Sequence, residues 1–321
     1  MKTKFFLLFG LSYCCLSAFC KAQNIDNTAS FRSNHDRTYF RFHYDNDYFT
    51  ATDQYYTQGY QFELVQPWLQ KNPLTRLLPR FKTTQYGLAF DHFGFTPTSI
   101  QSDDILRGDR PFASAALLKS FVMSVDSVHK QRLSAALSLG AIGPLTLGGE
   151  MQTAIHRQIN GIKPQGWQHQ IQNDVILNYE LNHEKQLVTY RKFLLINSNA
   201  QIRAGTFHNR AQVGLTLTAG CFQSPFGGEK TARKRFQLFG YVQPLLNFVG
   251  YNATLQGGLF NRSSPYTIAA EDLSRVVFQN NFGVILRFKK MELEYSQSFL
   301  SKEFKTGTAH AWGGIRIGVL W

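Results

Sequence analysis

Gln152 and His156 lie four residues apart in the stretch Gly148–Arg157. On a helix, side chains at that spacing project from the same side. Met151, Ala154, Ile155 and Ile159 recur at three- and four-residue steps, which gives such a helix an apolar face. An imidazole titrates near neutral pH, so His156 can take a proton from water or from a hydroxyl. Gln152, one turn back, can hold the imidazole or the water. The same spacing equally suits two side chains that only pack a helix against a rim, and spacing by itself favours that use. No serine or cysteine of nucleophile-elbow type accompanies the histidine, and Cys221 is expected on a strand. Direct activation of water by His156 is therefore more economical than a Ser-His-Asp triad.

Hard oxygen donors crowd a second stretch, where Asp45, Asn46, Asp47 and Asp53 occur together. Ca²⁺ prefers such donors, and backbone carbonyls near Gly59 can complete its shell. The spacing is not that of an EF-hand, and Asn and Asp favour turns in any case. The histidines are too scattered for zinc, since His156 and His169 are far apart in spacing and no cysteine joins them. Arg110, between Asp109 and Pro111, can grip a phosphate with both arms of its fork. Alternatively it pairs internally with Asp109 or a lumen carboxylate.

These residues need elements to position them, and the chain around them alternates with period two. Phe40, Phe42 and Tyr44 alternate with Arg41, His43 and Asp45; Met291, Leu293 and Tyr295 alternate with Glu292, Glu294 and Ser296. The pattern predicts strands near 38–47, 58–66, 83–92, 112–125, 131–141, 172–184, 189–203, 209–221, 236–248, 276–288, 290–299 and 310–321. A soluble sandwich would also alternate. Three features favour an all-β transmembrane barrel, antiparallel and up-and-down, of about twelve strands with a short outer-loop helix. Lys2 and Lys4 precede the apolar run Phe5–Leu11, an export signal expected to end near Ala22 or Gln23. The strands approach the length that crosses a bilayer, with Tyr39, Phe40, Tyr44, Phe288, Phe299 and Trp321 near their ends as an aromatic girdle. The chain also ends on an aromatic residue of an amphipathic strand. Residues 1–23 thus read as a signal peptide and 24–321 as one barrel domain, working as a monomer in the bacterial outer membrane.

Cys14, Cys15 and Cys20 fall within the signal, so no disulfide framework is expected. The formal charge of +13 calls for anionic surroundings. Export makes nucleic acid an unsuitable partner and an anionic membrane surface or phosphorylated lipid a suitable one. Strand parity argues against a further strand at 251–260, because an odd number would part the termini. With both termini inside, the connections 48–57, 93–111, 142–171, 204–208, 249–275 and 300–309 face outward. The inward ones include 67–82, 126–130, 185–188, 222–235 and the turn at Lys289–Lys290. Asn46, Asp47, Arg110, Gln152 and His156 then collect at one end, as an active site would.

At this point the chain resembles the outer-membrane lipid A 3'-O-deacylase family. The resemblance rests on Asn46-Asp47, Tyr56-Thr57-Gln58-Gly59, Gly108-Asp109-Arg110, Gly143-Pro144, Gln152-x-x-x-His156-Arg157, Gly166-Trp167-x-x-Gln170, Thr254-Leu255-Gln256-Gly257 and Glu303-Phe304-x-Thr306-Gly307. It implies a calcium-dependent hydrolase that removes the 3'-linked acyloxyacyl group of lipid A in lipopolysaccharide. His156 would activate water and Gln152 would support it. Asn46 and Thr57 would belong to the site, and Asp47 would ligate Ca²⁺. Two positions depart from the family pattern. Ile162 stands six residues after the histidine where an acidic residue can occur, with Asp174 or Glu150 as substitutes. Ile100 and Gln101 stand where a basic pair can occur. Two other functions remain open, a phospholipid esterase using the same chemistry and a non-enzymatic barrel serving as a narrow channel or adhesion module.

Overall fold

In the computed structural model of the protein, residues 29–32, 38–50, 55–158, 160–227 and 235–321 are described. Residues 1–23, expected as a signal peptide, lie outside the described residues, as do Asp53, Ile159 and most of the basic run 230–235. Twelve strands close into an antiparallel barrel: β1 (Tyr39–Asn46), β2 (Tyr55–Val65), β3 (Thr83–Thr96), β4 (Ala113–Asp126), β5 (Gln131–Ile142), β6 (Asp174–Tyr190), β7 (Leu194–Gly205), β8 (His208–Cys221), β9 (Phe236–Asn252), β10 (Val276–Phe288), β11 (Met291–Leu300) and β12 (His310–Leu320). Each strand pairs with its sequence neighbours, and β1 meets β12 from Tyr39↔Leu320 to Asn46↔Gly313. Closure leaves no strand edge unpaired, which a spanning sheet requires.

The alternation sorts side chains into a lipid-facing outer surface and a packed lumen. Phe62, Phe90, Leu118, Leu139, Val213 and Leu293 are exposed on the outside, whereas Arg41, Glu63, Glu292, Glu294 and Arg316 are buried within. Phe40, Phe288 and Trp321 of the expected girdle are exposed. Tyr39 is not part of it; the ring faces the lumen, because it shares the parity of Arg41 rather than that of Phe40.

Buried charges demand partners. Arg41 bridges Glu63 and Glu292, Arg287 binds Glu292, and Arg203 binds Glu180. Glu294 takes Arg316, the Tyr241 hydroxyl at 2.7 Å, and Arg32 at 2.9 Å. Arg32 arrives from outside the sheet. The segment Ala29–Arg32 lies in the lumen, where the Ser30 amide donates to Glu184 of β6 and Phe31 stacks on Tyr241 of β9 at 3.8 Å. Strands from across the barrel thus hold it.

One reversal differs from expectation. Residues 185–188 are not a turn. β6 runs on to Tyr190 through an irregularity between Gln186 and Val188, and the chain reverses over 191–193. Arg191 and Lys192 both adopt positive φ there, at 47° and 55°. Two successive left-handed residues form the reversal that suits strand twist, and glycine or asparagine is its usual signal. Neither residue is present, so the sequence hides the turn. As expected, 251–260 is no thirteenth strand. Asn252 ends β9 and its side chain accepts the Thr254 amide at 3.0 Å, starting a single helical turn, Ala253–Gln256. The longer helix expected in the outer loops is present as α1 (Gly148–Gln158).

Removing the charge that holds two buried arginines tests the lumen network. Glu294→Gln is expected to destabilise the barrel by about 3–5 kcal/mol. The reading is a lower urea midpoint for unfolding from lipid vesicles, and an unchanged midpoint would contradict the network's role.

Candidate active site at the outer rim

The rim site begins at an irregularity in β2. Its pairing with β3 slips between Tyr56 and Gln58, leaving Thr57 out of the ladder. Bulges re-aim the extra residue. Here both polar groups of Thr57 are used away from the sheet. Its carbonyl accepts from Asn46 Nδ2 at 2.6 Å, and its hydroxyl oxygen accepts from Gln152 Nε2 at 2.9 Å. Gly59 makes room nearby, since a Cβ there would lie 1.8 Å from the Tyr56 hydroxyl.

Asn46 closes β1. Its Nδ2 also reaches the Tyr44 hydroxyl at 3.1 Å, and its Oδ1 accepts the Tyr48 amide at 2.7 Å. Asp47 follows, buried, and opens a short turn, Asp47–Thr50, packed on β12. Its backbone carbonyl accepts the Thr50 hydroxyl at 2.9 Å.

α1 reaches this corner from the loop between β5 and β6. Leu147, at φ 59°, turns the chain into the helix, and His92 of β3 donates to the Thr146 carbonyl at 2.8 Å. Gly149 lies against Trp167, and a Cβ there would come within 2.9 Å of Trp167 Cγ. The indole N–H can only donate. Its partner at 2.7 Å is therefore Gln152 Oε1, which leaves the amide nitrogen for Thr57. Gln152 is 3% exposed and both ends of its amide are engaged. It does not hold the imidazole as the spacing suggested; it ties the helix to Thr57. Because the Thr57 oxygen accepts that bond, its own hydrogen remains to donate.

His156 stands one turn further on. Its Nδ1 is 2.6 Å from the Ile162 carbonyl oxygen. A carbonyl only accepts, so Nδ1 carries the proton and Nε2 presents a lone pair. The helix terminus creates this contact. Asn160 adopts φ 53°, the Gly161 amide bonds the His156 carbonyl at 2.8 Å, and the chain folds Ile162 back over the ring. The imidazole lines an outward-opening groove with Thr153, Arg157, Asn160, Gly161 and Lys163.

The structure thus joins Asn46, Thr57 and Gln152 by hydrogen bonds, sets Asp47 beside Asn46, and places His156 on the helix that Gln152 anchors. Other expected residues are elsewhere. Asp45 turns into the lumen, its Oδ1 2.7 Å from His43 Nε2, so it leaves the oxygen-donor group. Arg110 is 1% exposed, with one arm on Glu303, the other on the Thr254 hydroxyl at 2.7 Å, and its face 4.0 Å from the Phe95 ring. That fork is not offered to a phosphate, and its partner is Glu303 rather than Asp109. Ile100 packs under the loop with Phe112 and Trp167. Asp174 binds the amides of Phe260 and Asn261, so it does not replace the acid missing at Ile162; the Ile162 carbonyl meets the histidine instead. Trp167 was not singled out by spacing, although a tryptophan in a polar loop was a usable signal.

Among the described residues no three His, Cys, Asp or Glu side chains gather as a metal site. At the rim, the buried Asp47 instead follows directly on Asn46, whose amide bonds the Thr57 carbonyl, so carboxylate, amide, hydroxyl and carbonyl oxygens belong to neighbouring residues. That donor chemistry suits a hard cation completed by water and not zinc. Trp167→Phe should leave Gln152 Oε1 buried without its donor, at a cost of about 1–3 kcal/mol. Faster proteolytic cleavage between β5 and β6 in an otherwise intact barrel would register it; unchanged cleavage would show that α1 is anchored elsewhere.

The sequence profile described as outer membrane protein LpxR matches residues 7–321. LpxR from Salmonella typhimurium has a similar structure, with a TM-score of 0.73 at 18% identity, covering 88% of this chain and all of that one. The β domain of the Bordetella autotransporter BrkA matches at a TM-score of 0.49 and 8% identity, over 89% of this chain and 99% of that one. No curated protein matches the chain by sequence. With a profile match spanning nearly its whole length, the chain belongs to the LpxR family of outer-membrane proteins.

Proposed function

We propose that this protein is a lipid A 3'-O-deacylase, hydrolysing the ester that links the acyloxyacyl group to the sugar at the outer leaflet. The observation that carries the reading is the His156 tautomer. With Nδ1–H donated to Ile162, Nε2 is left as the base of a neutral ring that lines an open groove. Family membership supplies the substrate class.

His156 Nε2 takes a proton from water, and the resulting hydroxide adds to the ester carbonyl. The Thr57 hydroxyl, its oxygen already bonded by Gln152, donates toward the oxygen on which charge develops. As the tetrahedral adduct collapses, the imidazolium returns the proton to the departing sugar oxygen. Asn46 and Gln152 hold Thr57 in place, while Trp167 fixes Gln152. Asp47, with neighbouring oxygens, would hold Ca²⁺. When bound, that ion supplies a Lewis acid beside the carbonyl. Arg110 serves the fold through Glu303 and has no part in this chemistry.

Mass spectrometry of lipid A from cells expressing the protein tests the reading. Loss of the 3'-linked group in the presence of Ca²⁺ is expected, and chelation should suppress it. His156→Ala should lower turnover by about 100- to 10,000-fold while the barrel still inserts. Unmodified lipid A under calcium-replete conditions would overturn the proposal, and release of lysophospholipid would redirect it to a phospholipid esterase.

A further inference from the structure

The end of the barrel opposite the candidate site is built differently from the rim. β1 begins and β12 ends there, together with the connections 66–82, 127–130, 191–193, 222–235 and 289–290. Its loops are mostly the shorter ones, as on the inner side of outer-membrane barrels. Among the described residues of these connections and the strand ends beside them, the exposed charges are basic, as at Arg80, Lys130, Arg191, Lys192, Lys289 and Lys290. The acid among them, Asp126, is already bonded by His129 and Gln131. The outer loops, by contrast, mix signs, with Asp103, Asp104 and Glu150 exposed beside Arg107, Arg157 and Lys163.

Backbone geometry sharpens the asymmetry. Lys130, Arg191, Lys192 and Lys289 adopt φ of 52°, 47°, 55° and 54°. Those values suit glycine or asparagine and disfavour residues with long side chains. At this end every described non-glycine residue with positive φ is basic. Charge therefore occupies positions where local conformation argues against it. The cations also lie against aromatic rings at the strand ends: Arg191 is 5.3 Å from the Tyr190 ring and Lys289 is 5.2 Å from that of Phe288. Both rings are about half exposed, on the surface that faces lipid. An aromatic ring at the interface with a cation beyond it is the arrangement that meets a phosphate headgroup.

We propose that the inner end of the barrel is a binding surface for anionic phospholipid headgroups of the leaflet around it. The positive-φ turns fix the cations at the level of the phosphates, and the adjoining rings seat between the acyl chains. This inference stands independently of the rim chemistry.

Tryptophan fluorescence provides the test. Two of the four tryptophans, Trp68 and Trp321, are exposed at this end, while Trp167 and Trp312 are buried. The full mature protein is reconstituted in phosphatidylcholine vesicles containing either brominated phosphatidylglycerol or brominated phosphatidylcholine, and quenching is compared. Stronger quenching by the anionic lipid is expected, with the preference lost in high salt. A variant carrying Arg191→Asn, Lys192→Gly, Lys289→Gly and Lys290→Asn places favoured turn residues at these positions. It should fold at least as well, yet lose selectivity by about fivefold for each charge removed. Equal quenching of the wild type by both lipids would overturn the proposal. So would an unchanged preference in the variant, or binding of a soluble polyanion in place of the lipid.

Discussion

Within a bilayer no water is present to satisfy a strand edge, so the backbone hydrogen bonds of this sheet must close on themselves. The ladder between β1 and β12 meets that demand, and much else follows from it. Closure with sequential neighbours makes the strand number even. An even number brings the termini to one end and gives the other end the long loops. It also fixes the pleat, so that Arg41, Glu292, Glu294 and Arg316 face inward together and must neutralise one another. The candidate site stands where this regularity is first broken, at the slip beside Thr57.

α1 has no place in the ladder, and a buried amide ties it to the barrel. Gln152 spends its oxygen on Trp167 and its nitrogen on Thr57, joining the loop, the helix and the bulged strand. Fixed donors and acceptors of this kind hold side chains of three separate segments in register. The residues of this corner are consequently unequal in exposure. Thr57 and Gln152 are buried and bonded to each other, whereas His156 lines the open groove.

The barrel was legible because period-two alternation is a direct imprint of a sheet with lipid on one face and packed side chains on the other. All twelve strands were foreseen, and parity correctly denied one to 251–260. The reversal at Arg191–Lys192 was hidden, because its left-handed residues are not the types that announce such a turn. Tyr39 was placed on the wrong face although its own strand's alternation assigned it inward. In the site, the grouping of Asn46, Asp47, Gln152 and His156 at one end followed from loop parity, and Thr57 entered through the family resemblance. Their connections did not, since a side chain's hydrogen-bond partner depends on distances that spacing does not encode. Arg110 shows the same limit: its Glu303 partner lies far along the chain, on the far side of a closure that only the fold reveals.

The partner of His156 Nδ1 is a main-chain oxygen, and that changes how the site tolerates mutation. A carboxylate orienting the ring could be deleted by a single substitution. The carbonyl of residue 162 belongs to the peptide bond and is present whichever side chain stands there. What the imidazole depends on is the left-handed step at Asn160 that swings the chain back. The orientation of the ring therefore rests on a loop conformation and not on the side chain at 162, which is half exposed.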